Sequence, residues 1–281
     1  MQKGLTRAGV GAVGSLEAFI ELAAAYGFTS IDAGGEELIG LVERHGQAGA
    51  LALLREHGVS IGSMGLVVEW RRTEAEFRAG LPLLAQHAAA ASALGCTRSC
   101  TYILPSTDEN PAHFLAIATR RLRTCAEILG AYGMRLGLEF VGPHHLREVG
   151  RHPFIWDLQS TLDWIAAIGK DNVGLLLDAF HWYTTGATVD DIRNLHNQQI
   201  VHVHINDAKD VPVSQVRDND RLFPGEGVIN LVGFLQALAD IGYDGPVAQE
   251  VLTPTPLTED SHALAARSQA AFARLFSAAG L

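Results

Sequence analysis

The sequence predicts an α/β protein, a (β/α)8 TIM barrel forming a single domain over residues 1–281. Three observations predict it. Strand-like and helix-like segments alternate eight times, and no linker-like break interrupts 281 residues, which suits a closed barrel better than an open doubly wound sheet. In the second half, four successive apolar runs end on Glu139, Asp178, His204 and Glu250. Those are the strand ends at which barrels of this kind carry their chemistry.

Taken in order, the first strand falls in the short, glycine-rich opening, about residues 3 to 13. Ser15 then reads as the N-cap of an amphipathic helix carrying Leu16, Phe19, Ile20 and Ala23. Phe28 to Ala33 is the second strand, ending near Asp32, and Gly34-Gly35 turns into a helical region that runs to His57. Val59 to Met64 is the third, followed by the apolar stretch Leu66 to Trp70 and a helix from Thr73 to Leu94 that Gly95 ends. Cys96 to Leu104 is the fourth; Pro105 breaks it, and a helix through Phe114, Ile117, Leu122 and Ile128 leads to Gly133 as a C-cap.

The second half repeats the pattern more sharply. Met134 to Phe140 is strand five, then come a polar stretch from Gly142 to Asp157 and a helix carrying Leu158, Leu162, Ile165 and Ile168 up to Gly169. Val173 to Leu177 is an unbroken small or apolar run, as a strand buried on both faces requires, and it stops on Asp178, with His181 three positions later. A helix near Val189 to Leu195 precedes strand seven, Ile200 to Ile205. The long connection from Asn206 to Gly227 leads to a helix of Ile229, Val232, Leu235 and Leu238. Strand eight follows Gly242-Tyr243-Asp244-Gly245, and a helix from Glu259 to Phe276 closes the eighth unit.

One acid at a strand end ordinarily caps a helix or faces solvent. Four polar ligand types on consecutive strand ends are a different matter, because a barrel makes them converge on one point above its core. Three carboxylates and one imidazole form an oxygen-rich set that suits Mn²⁺, Mg²⁺ or Co²⁺ better than a structural zinc, which favours thiolates. His202 shares a side with His204 in strand seven and reads as a packing or supporting group outside that set.

Composition excludes several classes. The chain is 48% hydrophobic and 19% charged, enough apolar material for one large core, and its net charge of -10 without a Lys/Arg run argues against a nucleic-acid footprint. The three cysteines, Cys96, Cys100 and Cys125, are odd in number and contain no CxxC pair. Met1-Gln2-Lys3-Gly4 has no signal-like apolar core, and no apolar stretch reaches the roughly 20 residues that span a bilayer. The expectation is a cytoplasmic protein without membrane or nucleic-acid partners, with a homo-oligomer left open.

Three stretches carry a family resemblance: Leu138-Glu139-Phe140-Val141-Gly142, Asp171 to His181, and Asp218-Asn219-Asp220-Arg221-Leu222-Phe223-Pro224-Gly225-Glu226-Gly227. Together they resemble the sugar phosphate isomerase/epimerase superfamily of xylose isomerase-like barrels, and within it the inosose (2-keto-myo-inositol) isomerases. The resemblance covers about residues 134 to 252, and in the first half only the helix-strand rhythm. It implies that Glu139, Asp178, His204 and Glu250 ligate a divalent metal, Mn²⁺ ahead of Mg²⁺, Co²⁺ or Zn²⁺, with His181 beside a small carbohydrate or cyclitol substrate. The segment from Pro143 to Asp157, with its three histidines and two arginines, is longer than the family's usual connection; it is expected to pack over the barrel mouth and shape substrate choice.

The chemistry expected of this set is movement of a proton next to a ketone, with a cation stabilising the enediolate and Glu139 and Glu250 as acid and base. His181 would polarise a substrate oxygen. A lyase or dehydratase shares the same enediolate and is the runner-up. Abasic-site endonucleases share the barrel and the Asp-x-x-His spacing of Asp178 and His181, but need more histidines and a basic face; Val59 to Met64 and Cys96 to Leu104 hold no histidine. A non-catalytic sugar-binding barrel would not need both glutamates. Weaker signals are an anion site at Gly225-Glu226-Gly227, for which a turn is the commoner reading, substrate contacts from Lys209 and Arg217, and sugar-facing aromatics Trp70, Phe140, Trp182 and Tyr183.

Overall fold

The structure, a computed structural model, describes residues 1–281. Eight parallel strands close a barrel: β1 (Gln2–Leu5), β2 (Ser30–Ala33), β3 (Ser60–Gly65), β4 (Arg98–Ile103), β5 (Arg135–Phe140), β6 (Val173–Asp178), β7 (Ile200–Ile205) and β8 (Pro246–Gln249). Neighbours in space are neighbours in sequence, and β8 pairs with β1 to complete the ring. Parallel pairing of consecutive strands needs a crossover each time, and the helices supply it. They are α1 (Leu16–Ala25), α2 (Gly35–His57), α3 (Glu74–Ala93), α4 (Pro111–Ala131), α5 (His144–Arg147), α6 (Leu158–Ile168), α7 (Ala179–Thr184), α8 (Val189–Arg193), α9 (Leu231–Asp240) and α10 (Ser261–Ala279).

Helix starts are set locally. Ser15 accepts from the Ala18 N–H, Thr73 forms a capping box with Glu76, and Asn110 caps α4 ahead of Pro111, each cap worth about 1 kcal/mol. Glycines at positive φ follow the predicted ends, with Gly95 and Gly169 where expected; Gly133 lies one residue beyond the true C-cap, Tyr132. The main boundary error is β1, which is four residues long rather than filling the opening; Thr6 onward is loop, because the chain leaves the sheet to bring Arg7 over the barrel end. Ile229 lies before α9 rather than in it.

Register decides what meets at the mouth. Asp178 lies opposite His204, and His204 opposite Ala248, so Glu250 emerges just past the end of β8 beside them; Glu139 lies opposite Tyr102. All six residues of β6 are buried, as its apolar run predicts. At Gly62 a Cβ would come within 2.8 Å of Asp32 Oδ1 and 2.5 Å of Ser30 Oγ, so the missing side chain is what lets the β2 carboxylate stand inside the barrel.

The segment after β5 is ordered. α5 is followed by a two-residue strand, His152–Pro153, paired antiparallel with Ser106–Thr107 from the loop after β4. Arg147 donates to the Gly142 and Thr184 carbonyls and stacks on Trp156 at 3.6 Å. Trp70, Phe114, Phe154 and Trp164 form one aromatic cluster, and Trp182 packs on Phe234. Trp70, Phe140 and Trp182 are buried in the core rather than presented to a ligand.

Candidate active site

His204 organises the site. Its Nδ1 lies 3.5 Å from Glu250 Oε2, 3.7 Å from Glu139 Oε1 and 3.9 Å from Asp178 Oδ2. One ligand atom from each of the four residues lies within 4.8 Å of all the others. Donors about 2.0–2.2 Å from a common centre lie roughly 3–4.4 Å apart, so this set is close to the spacing that one cation needs. Glu139 Oε1 and His204 Nδ1 are buried and without a hydrogen-bond partner, which is the condition a cation would relieve. The donor set and the orphaned atoms both fit a divalent metal.

The opposite nitrogen of His204 is already spoken for. Nε2 lies 3.2 Å from Asp32 Oδ2, and His202 Nε2 lies 2.8 Å from the same oxygen. A carboxylate can only accept, so it holds a proton on His204 Nε2 and leaves Nδ1 as the nitrogen that faces the carboxylates and can take a cation once its own proton is displaced. Burial works to raise the Asp32 pKa, but the two imidazoles outweigh it and hold the group well below the ordinary aspartate value. His202 is thus the supporting group its position suggested. Asp32 was visible as a strand end and was not recruited to the site by sequence reasoning; nothing about a single aspartate on a distant strand links it to strand seven.

Arg221 is the other group that sequence reasoning did not single out. It reaches in from the long connection after β7, is almost fully buried, and puts Nη1 2.9 Å from both Asp178 Oδ2 and Glu250 Oε2. Nη2 lies 2.8 Å from Asp218 Oδ1. The connection is shaped around Asp207, whose carboxylate accepts the N–H groups of Ala208, Gly225, Gly227 and Ile229. The Gly225-Glu226-Gly227 signal is therefore a turn wrapped on the protein's own carboxylate. Lys209 pairs with Asp220, Arg217 is exposed, and neither lines the cavity.

Asp178 and His181 are locked together by α7. Asp178 Oδ1 caps the helix, accepting from the Phe180 N–H at 2.6 Å and the His181 N–H at 3.4 Å, and Asn206 donates to both of its oxygens. The Gly142 N–H donates to His181 Nδ1 at 3.3 Å, and Arg221 Nη2 lies 3.3 Å from its Nε2. A Cβ on Gly142 would lie 2.5 Å from Thr184 Oγ1, so glycine is what allows that approach. Nε2 faces Glu139 Oε1 at 3.9 Å and Asp218 Oδ1 at 3.8 Å.

The buried charges are pulled apart. Burial pushes the Glu139 pKa up. Burial acts the same way on Glu250 and Asp178, but His204 and Arg221 outweigh it at Glu250, and Arg221, His181 and His204 outweigh it at Asp178, so both are lowered. His204 is raised well above the ordinary histidine value because Glu250, Asp32 and Glu139 overcome its burial.

Beside this cluster lies a cavity of about 350 Å³. One wall is Glu139, Leu176, His204 and Glu250, while Asp178 and His181 do not line it; the rest comes from the first half of the barrel, with Thr6, Arg7, Asp32, Glu37, Ser63, Cys100, Thr101 and Tyr102 supplying polar groups. The residues 143–157 do not line it; Leu146, Val149 and Gly150 instead border a neighbouring groove with Trp70 and Tyr102.

Comparison with known proteins fits this arrangement. A family model described as a xylose isomerase-like TIM barrel matches residues 20–275. The chain belongs to that family. A xylose isomerase domain protein from Alicyclobacillus acidocaldarius is 37% identical over the whole of both chains, with a TM-score of 0.91. The inosose isomerase of Bacillus subtilis is 33% identical over 133 residues, 47% of this chain and 45% of the relative, and a 3-dehydroshikimate dehydratase of Pseudomonas aeruginosa is 32% identical over 138 residues, 48% of this chain and 20% of the relative. The chain thus matches less than half the length of these curated relatives. An IolI protein whose structure holds a zinc atom shares the fold at 21% identity and a TM-score of 0.82, over 99% of this chain and 98% of that one. No helix of this xylose isomerase-like barrel is long and apolar enough to cross a membrane.

Proposed function

We propose that the protein is a divalent-metal-dependent isomerase or epimerase of a keto-sugar or keto-inositol, acting by proton transfer next to a carbonyl. The observation that carries the reading is the convergence of Glu139 and Glu250 on His204 Nδ1 at the wall of an open cavity. Glu139, Asp178, His204 and Glu250 are the metal donors, and Mn²⁺ is the leading choice for three carboxylates and an imidazole, with Mg²⁺, Co²⁺ and Zn²⁺ behind it. When bound, the cation supplies Lewis-acid stabilisation of the oxyanion that develops at the substrate carbonyl.

The protein's own groups do the rest. Removing an α-proton needs a base beside the substrate and returning it needs an acid, and environments that push two carboxyls in opposite directions assign those roles. Glu250, with its pKa lowered, takes the proton; Glu139, with its pKa raised, gives one back. His181, expected beside the substrate, is buried and does not line the cavity; its Nδ1 takes the Gly142 N–H and its Nε2 lies 3.3 Å from Arg221 Nη2, so on this reading it acts by positioning Arg221. Arg221 helps keep Asp178 and Glu250 ionised.

A dehydratase outcome is supported by the Pseudomonas relative, because the same proton abstraction can expel a β-hydroxyl. Turnover of keto-inositols, ketohexoses and 3-keto-glycosides in D₂O with added Mn²⁺ separates the readings. Isomerisation or epimerisation places deuterium beside the carbonyl at unchanged composition, and dehydration loses water. Glu250→Gln keeps the shape but removes the base, so turnover should fall on the order of 10²-fold or more while substrate binding changes less. Metal content is read in the same sample. A metal-loaded Glu250→Gln protein with near-normal rates refutes the two-glutamate mechanism.

A further inference from the structure

We infer that the ion pair between Arg7 and Glu37 is a charge filter that makes the cavity select uncharged polyols over carboxylated ones. The inference rests on the polyol reading above and concerns the opposite wall of the same cavity. Arg7 is the one guanidinium among the lining residues, facing four carboxylates there: Asp32, Glu37, Glu139 and Glu250. A divalent cation reduces that negative excess without reversing it. An anionic substituent entering the cavity would therefore need Arg7 as its partner.

Arg7 is not free to serve. Its Nε and Nη2 both donate to Glu37 Oε1, at 3.0 and 2.5 Å, and Nη1 donates to the Val13 carbonyl at 2.9 Å. The guanidinium also lies over the Phe19 ring, 4.9 Å from its centroid. Glu37 is fixed in turn, because its Oε2 accepts the Gly34 N–H at 2.8 Å at the start of α2. Both side chains keep about a third of their exposure, enough for the remaining guanidinium N–H groups to meet a hydroxyl. The pair can thus hydrogen-bond a neutral ring substituent while presenting no net charge. A carboxylate would have to displace Glu37 or sit beside it, and like charges in a partly desolvated site repel.

The test uses Mn²⁺-loaded protein and three probes: myo-inositol, shikimate, and methyl shikimate, which differs from shikimate only by masking the carboxylate. Wild type should bind myo-inositol and favour the ester over the acid by about tenfold or more in calorimetry. Glu37→Gln keeps an amide oxygen to accept the Gly34 N–H and releases Arg7 from its counter-charge. The ester-to-acid ratio should then drop about tenfold. Glu37→Asp should keep the wild-type ratio. Arg7→Met leaves Glu37 uncompensated and should raise the ratio, the opposite sign, which a merely structural role of the pair would not produce. An unchanged ratio in Glu37→Gln and Arg7→Met overturns the filter, as does equal binding of acid and ester by wild type that still binds myo-inositol. Failure of wild type to bind any of the three removes the polyol reading itself, and the filter with it.

Discussion

The two halves of the barrel mouth are built from different chemistry. On β5 to β8 the strand ends carry Glu139, Asp178, His204 and Glu250, each buried or nearly so and each within reach of another charge. On β1 to β4 the corresponding positions are Thr6, Asp32, Ser63 and Thr101, small groups around the open part of the cavity, with the Arg7–Glu37 pair beyond them. A charge cluster of the first kind is costly to bury and persists only where it is paired or holds a cation. Hydroxyls and a self-neutralised ion pair cost little and leave room. On the proposed function, the difference separates the wall that would do the chemistry from the wall that would admit the substrate.

The sharpest way to break this division is to remove one charge from the chemical wall. Asp178→Asn should abolish metal retention and turnover together, because the loss of one anionic donor weakens the whole set and asparagine is a poor ligand for a hard cation. The variant should still fold: asparagine caps helices as well as aspartate does, so α7 keeps the Phe180 and His181 contacts. Elemental analysis and a melting curve on one sample read both halves of the statement. Full metal occupancy would mean that Asp178 serves only as the cap of α7 and the partner of Arg221.

A second, intermediate effect is pH dependence confined to the same wall. The His204 pKa is raised well above the usual 6.5 by Glu250, Asp32 and Glu139 acting against burial. At neutral pH the metal-free imidazole therefore carries an extra proton, and a cation binding at Nδ1 must displace it. Apparent metal affinity should rise about tenfold per pH unit while the pH stays below that raised pKa, and flatten above it. The stability of the metal-free protein runs the other way. A histidine whose folded-state pKa is raised contributes stability that is complete below its unfolded value and is lost as pH rises through the folded one, so the decline starts near the unfolded value of about 6.5 and is complete only above the raised folded one. Metal-loaded protein should lack that alkaline decline. Calorimetric titrations at several pH values, with thermal melts of both forms, check the two slopes; a pH-independent affinity would place the proton elsewhere.

How much of this was legible in the sequence follows the same division. The β5 to β8 wall announced itself because charged residues terminating apolar runs violate the burial pattern around them, and Asp178, His181 and His204 needed no structure to be noticed. The closed barrel was legible from the alternation, which local helix caps such as Ser15, Thr73 and Asn110 reinforce. The other wall was not legible, since Thr6, Ser63 and Thr101 are residue types found equally in loops and cores. Arg221 was hidden for a different reason. Its position depends on a long connection folding back, pinned by the Asp207 carboxylate and by the paired backbone of Asp207 and Leu222, and no local period encodes that. The aromatics misled because an aromatic residue near a strand end packs outward against helices as readily as inward, and Trp70 and Trp182 do the former.

Asp32 is the residue that belongs to both walls, and it gives the smallest of the expected effects. It stands on β2, lines the cavity, and through Oδ2 holds both His202 and His204. Its Oδ1 has no hydrogen-bond partner, so the orientation rests on the two imidazole contacts and on the space left by Gly62. Asp32→Asn keeps the volume and one acceptor oxygen. That oxygen cannot carry the charge that fixes the proton on His204 Nε2, and the amide group offers a donor where an acceptor is required. Metal affinity should therefore fall about tenfold, within the 10- to 100-fold range typical of losing a supporting contact to a ligating histidine, and the melting temperature of metal-free protein should fall too, because the two buried imidazoles lose their counter-charge. The two outcomes discriminate between roles. A loss of stability with unchanged metal affinity would make Asp32 a packing residue of the barrel, whereas weaker metal binding beyond what the stability loss accounts for ties the first half of the chain to the proposed metal site.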